Sequence, residues 1–98
     1  MKTYVFHEDA GHGWLAVKRK ELIDLGILDK ISGYSYQKGE TVYLEEDCDA
    51  SVFWEAKTRK NEKIETREKY VEYSPIRRYE SFQMKRNEYN VMPLSNEA

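Results

Sequence analysis

The sequence predicts an α+β fold: a small antiparallel sheet of four or five strands with one or two short helices. Three observations support this prediction. Runs of β-formers recur along the chain, a pair of such runs around Gly39 is typical of a β-hairpin, and two stretches with helical spacing separate the runs. The 98 residues suit one domain, since domains commonly contain roughly 100–200 residues.

The first elements are predicted from β-formers and from one glycine. Residues 2–7 alternate around Tyr and Val and predict a strand. The apolar run 14–17 predicts a second strand or the start of a helix. Residues 18–25 predict a short helix, because Gly26 follows where a helix commonly ends in the left-handed conformation.

The middle of the chain predicts a hairpin followed by a helix. Residues 31–37 and 41–46 are rich in β-formers, and Gly39 between them tolerates a positive φ. The apolar residues at 52, 53 and 56 then share one helical face, and Asp47 or Asp49 is a suitable N-cap. We expect this helix to end near residues 60–61.

The last third predicts a second hairpin and a frayed end. Residues 64–73 alternate loosely as a strand, Ser74-Pro75 breaks it, and residues 76–82 predict its partner strand. We therefore predict a single domain over residues 1–83. The polar residues 84–98 are expected to form a frayed tail.

Charge and composition exclude several classes of protein. The net charge is −2, with 16 Lys and Arg against 18 Asp and Glu, so the chain has neither a strongly basic nucleic-acid footprint nor the acidity of a DNA mimic. No apolar run approaches the roughly 20 residues that span a bilayer. The single cysteine cannot form an internal disulfide, and the amino terminus lacks the apolar stretch of a signal peptide, which predicts a cytoplasmic protein.

The two histidines and the cysteine are candidate metal ligands. His7 and His12 flank a turn, and Cys48 lies in an acidic cluster at the start of the predicted helix, where the helix dipole favours a thiolate. Two histidines, one cysteine and one aspartate would make a tetrahedral zinc site of structural type. The same residues also fit ordinary structural roles. A Cys48–His12 nucleophilic pair, or a hydrolytic metal with an acid such as Glu45 as its base, are weaker alternatives.

The carboxyl-terminal half mixes tyrosines with basic residues. Tyrosine and arginine are enriched at binding hot spots, and stacked aromatics among cations also bind single-stranded nucleic acid. A solvated sheet face would show the same pattern. The candidate partner-binding residues are Tyr70, Tyr73, Arg77, Arg78 and Tyr79.

The stretch between Asp9 and Asp49 contains the segments DAGHGWLAV, LGI, KISGYSY and YLEEDCD. This stretch resembles a family of small proteins of phages and mobile elements. The chain as a whole is similar to phage-encoded type II-A anti-CRISPR proteins, which inhibit Cas9, and among them to a zinc-containing type. The resemblance covers roughly the first sixty residues, and the last third matches no motif of that family.

The resemblance implies a stoichiometric inhibitor, not an enzyme, whose partner is the Cas9–guide RNA complex in a bacterial host. Such an inhibitor would block DNA binding or cleavage by Cas9 and would make no direct contact with nucleic acid. The resemblance also implies a structural zinc, for which we predict the ligands His7, His12, Asp47 and Cys48. Asp9, Glu46 and Asp49 are substitutes for any one of them, and Asp49 is reserved as the helix cap.

Two other functions compete with this one. A small nucleic-acid-binding module of a mobile element would bind through residues such as Arg77, Arg78 and Tyr79, with an affinity that falls steeply with salt. A metal-dependent hydrolase would lose activity, but not its metal, when a nearby acid is changed.

Overall fold

A mixed sheet of six strands forms the centre of this computed structural model, which describes residues 2–90. The elements follow one another as β1 (Lys2–Glu8), β2 (Gly13–Lys18), α1 (Arg19–Asp24), β3 (Tyr36–Lys38), β4 (Thr41–Glu45), α2 (Asp49–Arg59), β5 (Ile64–Tyr70) and β6 (Glu80–Ser81). Short 3-10 helices occupy Leu28–Lys30, Pro75–Arg78 and Arg86–Asn90. The predicted α+β class is confirmed. Within residues 2–90, neither α-helix has the length and apolar character needed to cross a bilayer.

The sequence predicted an antiparallel sheet, but the sheet is mixed. Its strand order is β5-β1-β2-β4-β3-β6, and β5 pairs with β1 in parallel along the full length of both strands. The other pairs are antiparallel. A parallel pair needs a long connection, which the chain between β1 and β5 supplies, with α2 as its last element.

One face of the sheet carries the hydrophobic core, and we call it the inner face. Leu15 and Val17 of β2 alternate with residues of the opposite face, and they lie opposite Leu44 and Val42 of β4. Phe53 of α2 is fully buried and meets the ring of Tyr4 edge-on, with 5.1 Å between ring centroids. This burial explains the apolar spacing of residues 52, 53 and 56, so the predicted face of α2 is confirmed.

Two glycines end elements as the sequence predicts. Gly26 has a φ of +73° directly after the last turn of α1, and Gly39 has a φ of +60° in the β3–β4 turn. The helix near residues 18–25 and the hairpin are therefore confirmed. The first strand of the hairpin is shorter than predicted, because it begins at Tyr36 after a 3-10 helix and a turn.

The predicted second hairpin is wrong. Only Glu80–Ser81 of its second strand forms a ladder, and it pairs with β3 at the sheet edge opposite β5. Pro75 begins a 3-10 helix, and the hydroxyl of Ser74 caps it by accepting a hydrogen bond from the backbone of Ile76 at 3.2 Å. The chain therefore runs from one sheet edge to the other across the face opposite the core, which we call the outer face. We call residues 71–79 the crossing segment.

The ordered fold continues beyond residue 83, which corrects the predicted frayed tail for residues 84–90. Arg86–Asn90 forms a 3-10 helix, and buried Glu88 pairs with buried Arg19. Nη2 of Arg19 donates to Oε1 of Glu88 at 2.8 Å and to the backbone carbonyl of Gln83 at 2.6 Å, and Nη1 donates to the side-chain oxygen of Gln37 at 2.9 Å. Residues 91–98 of the predicted tail lie outside the described residues.

Removing this ion pair tests how much the carboxyl-terminal helix stabilises the fold. We expect Glu88→Ala to lower the free energy of unfolding by about 3–5 kcal/mol, because Arg19 is left buried without its carboxylate. Urea denaturation measures the change. Lys20→Ala breaks an exposed pair with Asp24 and should change it by less than about 0.5 kcal/mol. Equal small losses of stability in both variants would contradict a stabilising role for the buried pair of Arg19 and Glu88.

The same pair predicts a pH dependence. Arg19 lowers the pKa of Glu88 from its ordinary value of 4.5. A lowered carboxylate pKa means that the stabilisation is complete above that ordinary value and is lost as the pH falls through the lower, folded-state pKa.

Candidate functional site

A pocket of about 440 Å³ opens on the outer face, where β2 begins and β4 ends. In the β2–β4 ladder Trp14 lies opposite Glu45, so both side chains point to the outer face, away from Leu15 and Leu44. We call this cavity the aromatic pocket. Its lining residues are His12, Trp14, Tyr34, Tyr36, Glu45, Asp47, Cys48 and Arg77.

Three aromatic side chains form the walls of the aromatic pocket. Trp14 is almost fully buried, and its ring lies 6.3 Å from that of Tyr36 in an edge-on arrangement. Tyr34 is 77% exposed and stands at the rim. The imidazole of His12 lies 6.0 Å from the ring of Trp14. The pocket therefore combines a rigid aromatic base with one aromatic ring that is open to solvent.

Glu45 is the best-enclosed carboxylate of the pocket, with a side chain only 12% exposed. Its Oε1 accepts hydrogen bonds from the backbone of Asp47 at 2.8 Å and from the thiol of Cys48 at 3.4 Å. Its Oε2 lies 3.7 Å from Nδ1 of His12. Glu45 thus holds the turn that leads from β4 into α2 and keeps one oxygen directed towards His12.

The surroundings of Cys48 favour the protonated thiol, whereas its position in the sequence predicted a thiolate. Cys48 does occupy the N-cap position of α2. However, burial raises the pKa of Cys48, and the nearby carboxylates of Glu45 and Asp49 raise it further, while the hydroxyl of Ser32 lowers it. A raised thiol pKa disfavours the thiolate that a Cys48–His12 nucleophilic pair would need.

Asp49 does not cap α2 with its side chain, contrary to the prediction. It is the first helical residue, and its carboxylate accepts hydrogen bonds from the backbone and hydroxyl of Ser32 at 3.0 and 2.7 Å and from the hydroxyl of Ser35 at 2.5 Å. The hydroxyl of Ser35 in turn accepts from the backbone of Glu45 at 2.9 Å. These bonds fix the loop that carries Tyr34 against the end of β4.

An ion pair between Asp9 and Arg77 anchors the crossing segment beside the aromatic pocket. Arg77 donates two hydrogen bonds, from Nε to Oδ2 at 2.6 Å and from Nη2 to Oδ1 at 2.8 Å. The carboxylate also accepts from the backbones of Gly11, His12 and Ser74. Arg77, followed by these backbone donors, holds the pKa of Asp9 far below its usual range even though burial opposes this shift. The positive charge of Arg77 is therefore compensated within the protein.

The structure brings together three of the four predicted zinc ligands, but not the fourth. His12, Asp47 and Cys48 line the aromatic pocket. His7 lines a second cavity beneath the crossing segment, where its ring lies 5.7 Å from that of Tyr43. Within residues 2–90, no group of three or more His, Cys, Asp or Glu side chains is placed to hold a metal ion.

The substitute ligands are also committed or distant. Asp9 is paired with Arg77, Asp49 is enclosed by serine donors, and Glu46 does not line the pocket. The residues present thus do not fit a four-ligand zinc site. Zinc binding stays a prediction from the sequence.

The predicted partner-binding residues occupy different surroundings. Tyr70 at the end of β5 is 58% exposed, and Tyr73 in the crossing segment is 68% exposed. Arg78 is exposed as well, whereas Tyr79 packs at 5.3 Å on Tyr43 of the outer face. Arg77 lines the aromatic pocket with its guanidinium carbon 5.6 Å from the ring of Trp14. Of the five, Tyr73 and Arg77 are the ones that lie together, 6.0 Å apart.

Trp14, Tyr34 and Tyr36 line the pocket but were not among the site residues predicted from the sequence. A signal for two of them was present. Trp14 falls one residue out of phase with the core residues Leu15 and Val17, and Tyr36 begins a strand of the predicted hairpin. Period-two alternation therefore places both rings on the outer face.

Alkylation of Cys48 tests the electrostatics of the pocket. We expect the native thiol to react with iodoacetamide at least about tenfold more slowly than the urea-unfolded chain at pH 7.5, because only the thiolate reacts and its pKa is raised. The rate should rise with pH, with a midpoint above the ordinary thiol value of 9.0. A native rate equal to that of the unfolded chain would contradict this assignment.

A charge-neutral variant extends that test. Glu45→Gln should speed the native reaction by roughly threefold to tenfold, because the amide no longer raises the pKa of Cys48. Glu46→Gln removes the same charge from an exposed neighbour outside the pocket and is the matched control.

Elemental analysis of protein purified without a histidine tag tests zinc binding. About one zinc per chain, lost in Cys48→Ser, would confirm the zinc prediction from the sequence. Metal-free wild-type protein would show that it is wrong.

Comparison with protein-family models, curated proteins and solved structures gave no match.

The side chains of the aromatic pocket determine what it can offer a ligand. They are three aromatic rings, two carboxylates, a thiol, an imidazole and an arginine paired with Asp9.

Proposed function

We propose that this protein is a stoichiometric inhibitor of the anti-CRISPR type, which binds the Cas9–guide RNA complex in the bacterial cytoplasm and is not an enzyme. One observation carries the proposal. Three of the four segments on which the resemblance rests, DAGHGWLAV, KISGYSY and YLEEDCD, lie apart in the sequence yet line one pocket. Seven of its eight lining residues come from that stretch, and Arg77 is the eighth.

The chemistry of the pocket supports binding over catalysis. Catalysis by Cys48 would require a thiolate, and the pKa of this thiol is raised. Arg77 is held by a bidentate ion pair with Asp9, and Glu45 is engaged by the turn that it closes. Tryptophan, tyrosine and arginine, which dominate binding hot spots, instead surround the cavity.

The exposed aromatic rings support a contact surface around the pocket mouth. Tyr34 stands at one side, and Tyr73 approaches Arg77 from the crossing segment. Large rings held by ordered neighbours lose little conformational entropy on binding. We propose that Tyr34 and Tyr73 flank the group of the partner that enters the aromatic pocket.

A second candidate function is binding of single-stranded nucleic acid elsewhere on the outer face. Burial, followed by the positive charges of Lys69 and Arg67, lowers the pKa of His7, and Lys38 lies 4.8 Å from the ring of Tyr79. Cations beside tyrosine rings are the elements of a stacking platform for bases. This function requires an affinity that falls steeply with salt, unlike a tight protein–protein complex.

Titration of DNA cleavage by a type II-A Cas9–guide complex tests the proposed function. We expect inhibition to saturate near one inhibitor per Cas9, with no turnover. Tyr34→Ala should raise the concentration for half-inhibition by about tenfold or more, because it removes an exposed ring of the contact surface. Tyr89→Ala removes a tyrosine of similar exposure outside the pocket and should change it little.

The outcome separates the two candidate functions. Absence of any complex with Cas9 would contradict the inhibitor. Binding to single-stranded DNA at low salt that disappears at high salt, and that weakens in Lys69→Ala, would instead favour the nucleic-acid module.

A further inference from the structure

We infer that the aromatic pocket is a receptor for one basic side chain, arginine or lysine, of the partner protein. The inference rests on the proposed function only for the identity of that partner. The preference for a cation follows from the charges and rings around the pocket.

The enclosed charge of Glu45 is one basis of this preference. Of the other enclosed carboxylates, Asp9 pairs with Arg77, Glu21 with Lys57 and Glu88 with Arg19, whereas buried Asp49 accepts hydrogen bonds from Ser32 and Ser35. Among residues 2–90, no Lys or Arg nitrogen lies within 4.0 Å of the carboxylate of Glu45. Oε1 of Glu45 accepts hydrogen bonds from Asp47 and Cys48, and Oε2 lies 3.7 Å from the imidazole of His12. A cation that enters from solvent would therefore be stabilised by a negative charge that no Lys or Arg of the described chain balances.

The charge of the pocket lining also favours a cation. Glu45 and Asp47 each contribute a negative charge. Arg77 is the lining residue with a permanent positive charge, and the bidentate contact with Asp9 cancels it. The lining is therefore negative towards an incoming group, and electrostatic complementarity favours a cation.

The aromatic walls of the pocket favour a cation as well. A guanidinium or ammonium group is attracted to the face of an aromatic ring, most strongly to tryptophan. Arg77 already makes this contact with Trp14, at 5.6 Å, and Trp14 is almost fully buried, so its ring forms the base of the pocket. Tyr36 and Tyr34 supply further rings beside the carboxylates of Glu45 and Asp47. Aromatic faces combined with acidic groups are the arrangement that recognises organic cations in other binding sites.

Size and openness favour a side chain of a protein. A volume of about 440 Å³ lies within the range of roughly 300–1,000 Å³ typical of ligand pockets, which is ample for one long side chain with its waters. The exposed Tyr34 at the rim can pack on the surrounding surface of a macromolecule. Arginine is moreover enriched at protein interfaces.

A peptide titration followed by NMR tests the inference directly. In a Trp54→Phe background the indole N–H signal of Trp14 is the sole tryptophan reporter, because the chain has two tryptophans. We expect acetyl-Gly-Arg-Gly-amide to shift this signal saturably, with a Kd on the order of 1 mM. The citrulline peptide, which has the same shape and no charge, should not shift it. Ethylguanidinium tests whether the peptide backbone contributes, and weaker binding of this small cation is expected.

Matched variants locate the site. Glu45→Gln should weaken the binding of the arginine peptide by about tenfold, whereas Glu46→Gln should leave it unchanged. Should Glu45→Gln perturb the fold, Tyr34→Ala gives the same test at a residue that is 77% exposed. Absence of saturation with both arginine and lysine peptides, or equal shifts with citrulline, would overturn the inference.

The result is independent of the proposed function. If wild-type protein does not bind Cas9, the proposed function fails while the peptide titration still decides what the pocket binds. If Cas9 binds and Glu45→Gln changes neither the complex nor the peptide titration, the inference fails and the inhibitor stands.

Discussion

The ion pair between Asp9 and Arg77 is the constraint on which the outer face depends. Asp9 lies in the turn between β1 and β2, and Arg77 is 68 residues away in the crossing segment. Their contact brings the chain back over the sheet, and the backbone donors of Gly11, His12 and Ser74 converge on the same carboxylate. One buried charge thereby orders the turn that carries His12 and places the guanidinium beside Trp14. Without it, the aromatic pocket would lose one wall.

This long-range contact also explains which parts of the structure were predictable. The β3–β4 hairpin, the end of α1 and the apolar face of α2 depend on residues within a few positions of one another, such as Gly26 and Gly39. The parallel pairing of β5 with β1 and the pairing of β6 with β3 depend on contacts over more than forty residues. Local patterns contain no information on those partners, so a second hairpin was predicted where the chain instead crosses the sheet. Arg19 and Glu88 illustrate the same limit, since a charged residue in a polar tail gives no local sign of burial.

The candidate site was predictable in part for the same reason. His12, Asp47 and Cys48 border two turns that flank paired strands, so their convergence follows from the β2–β4 ladder. His7 opposes Trp14 in the β1–β2 ladder and shares its face, yet the crossing segment encloses it in a separate cavity. That separation depends on where Pro75 and Ile76 settle, which no pattern around His7 could show.

Glu45 shows how stability and the inferred binding share one residue. Its Oε1 stabilises the native turn through Asp47 and Cys48, while its charge lacks the Lys or Arg partner that Asp9, Glu21 and Glu88 possess within the described chain. A lysine introduced to complete this pair would stabilise the carboxylate but fill the pocket with the very charge that a partner is inferred to supply. Natural proteins commonly leave such stabilisation unused at binding sites, because a residue satisfied internally has nothing left to offer a ligand. On this view Glu45, a carboxylate beside aromatic rings with no Lys or Arg partner in the described chain, is the feature that suits the aromatic pocket to a cation.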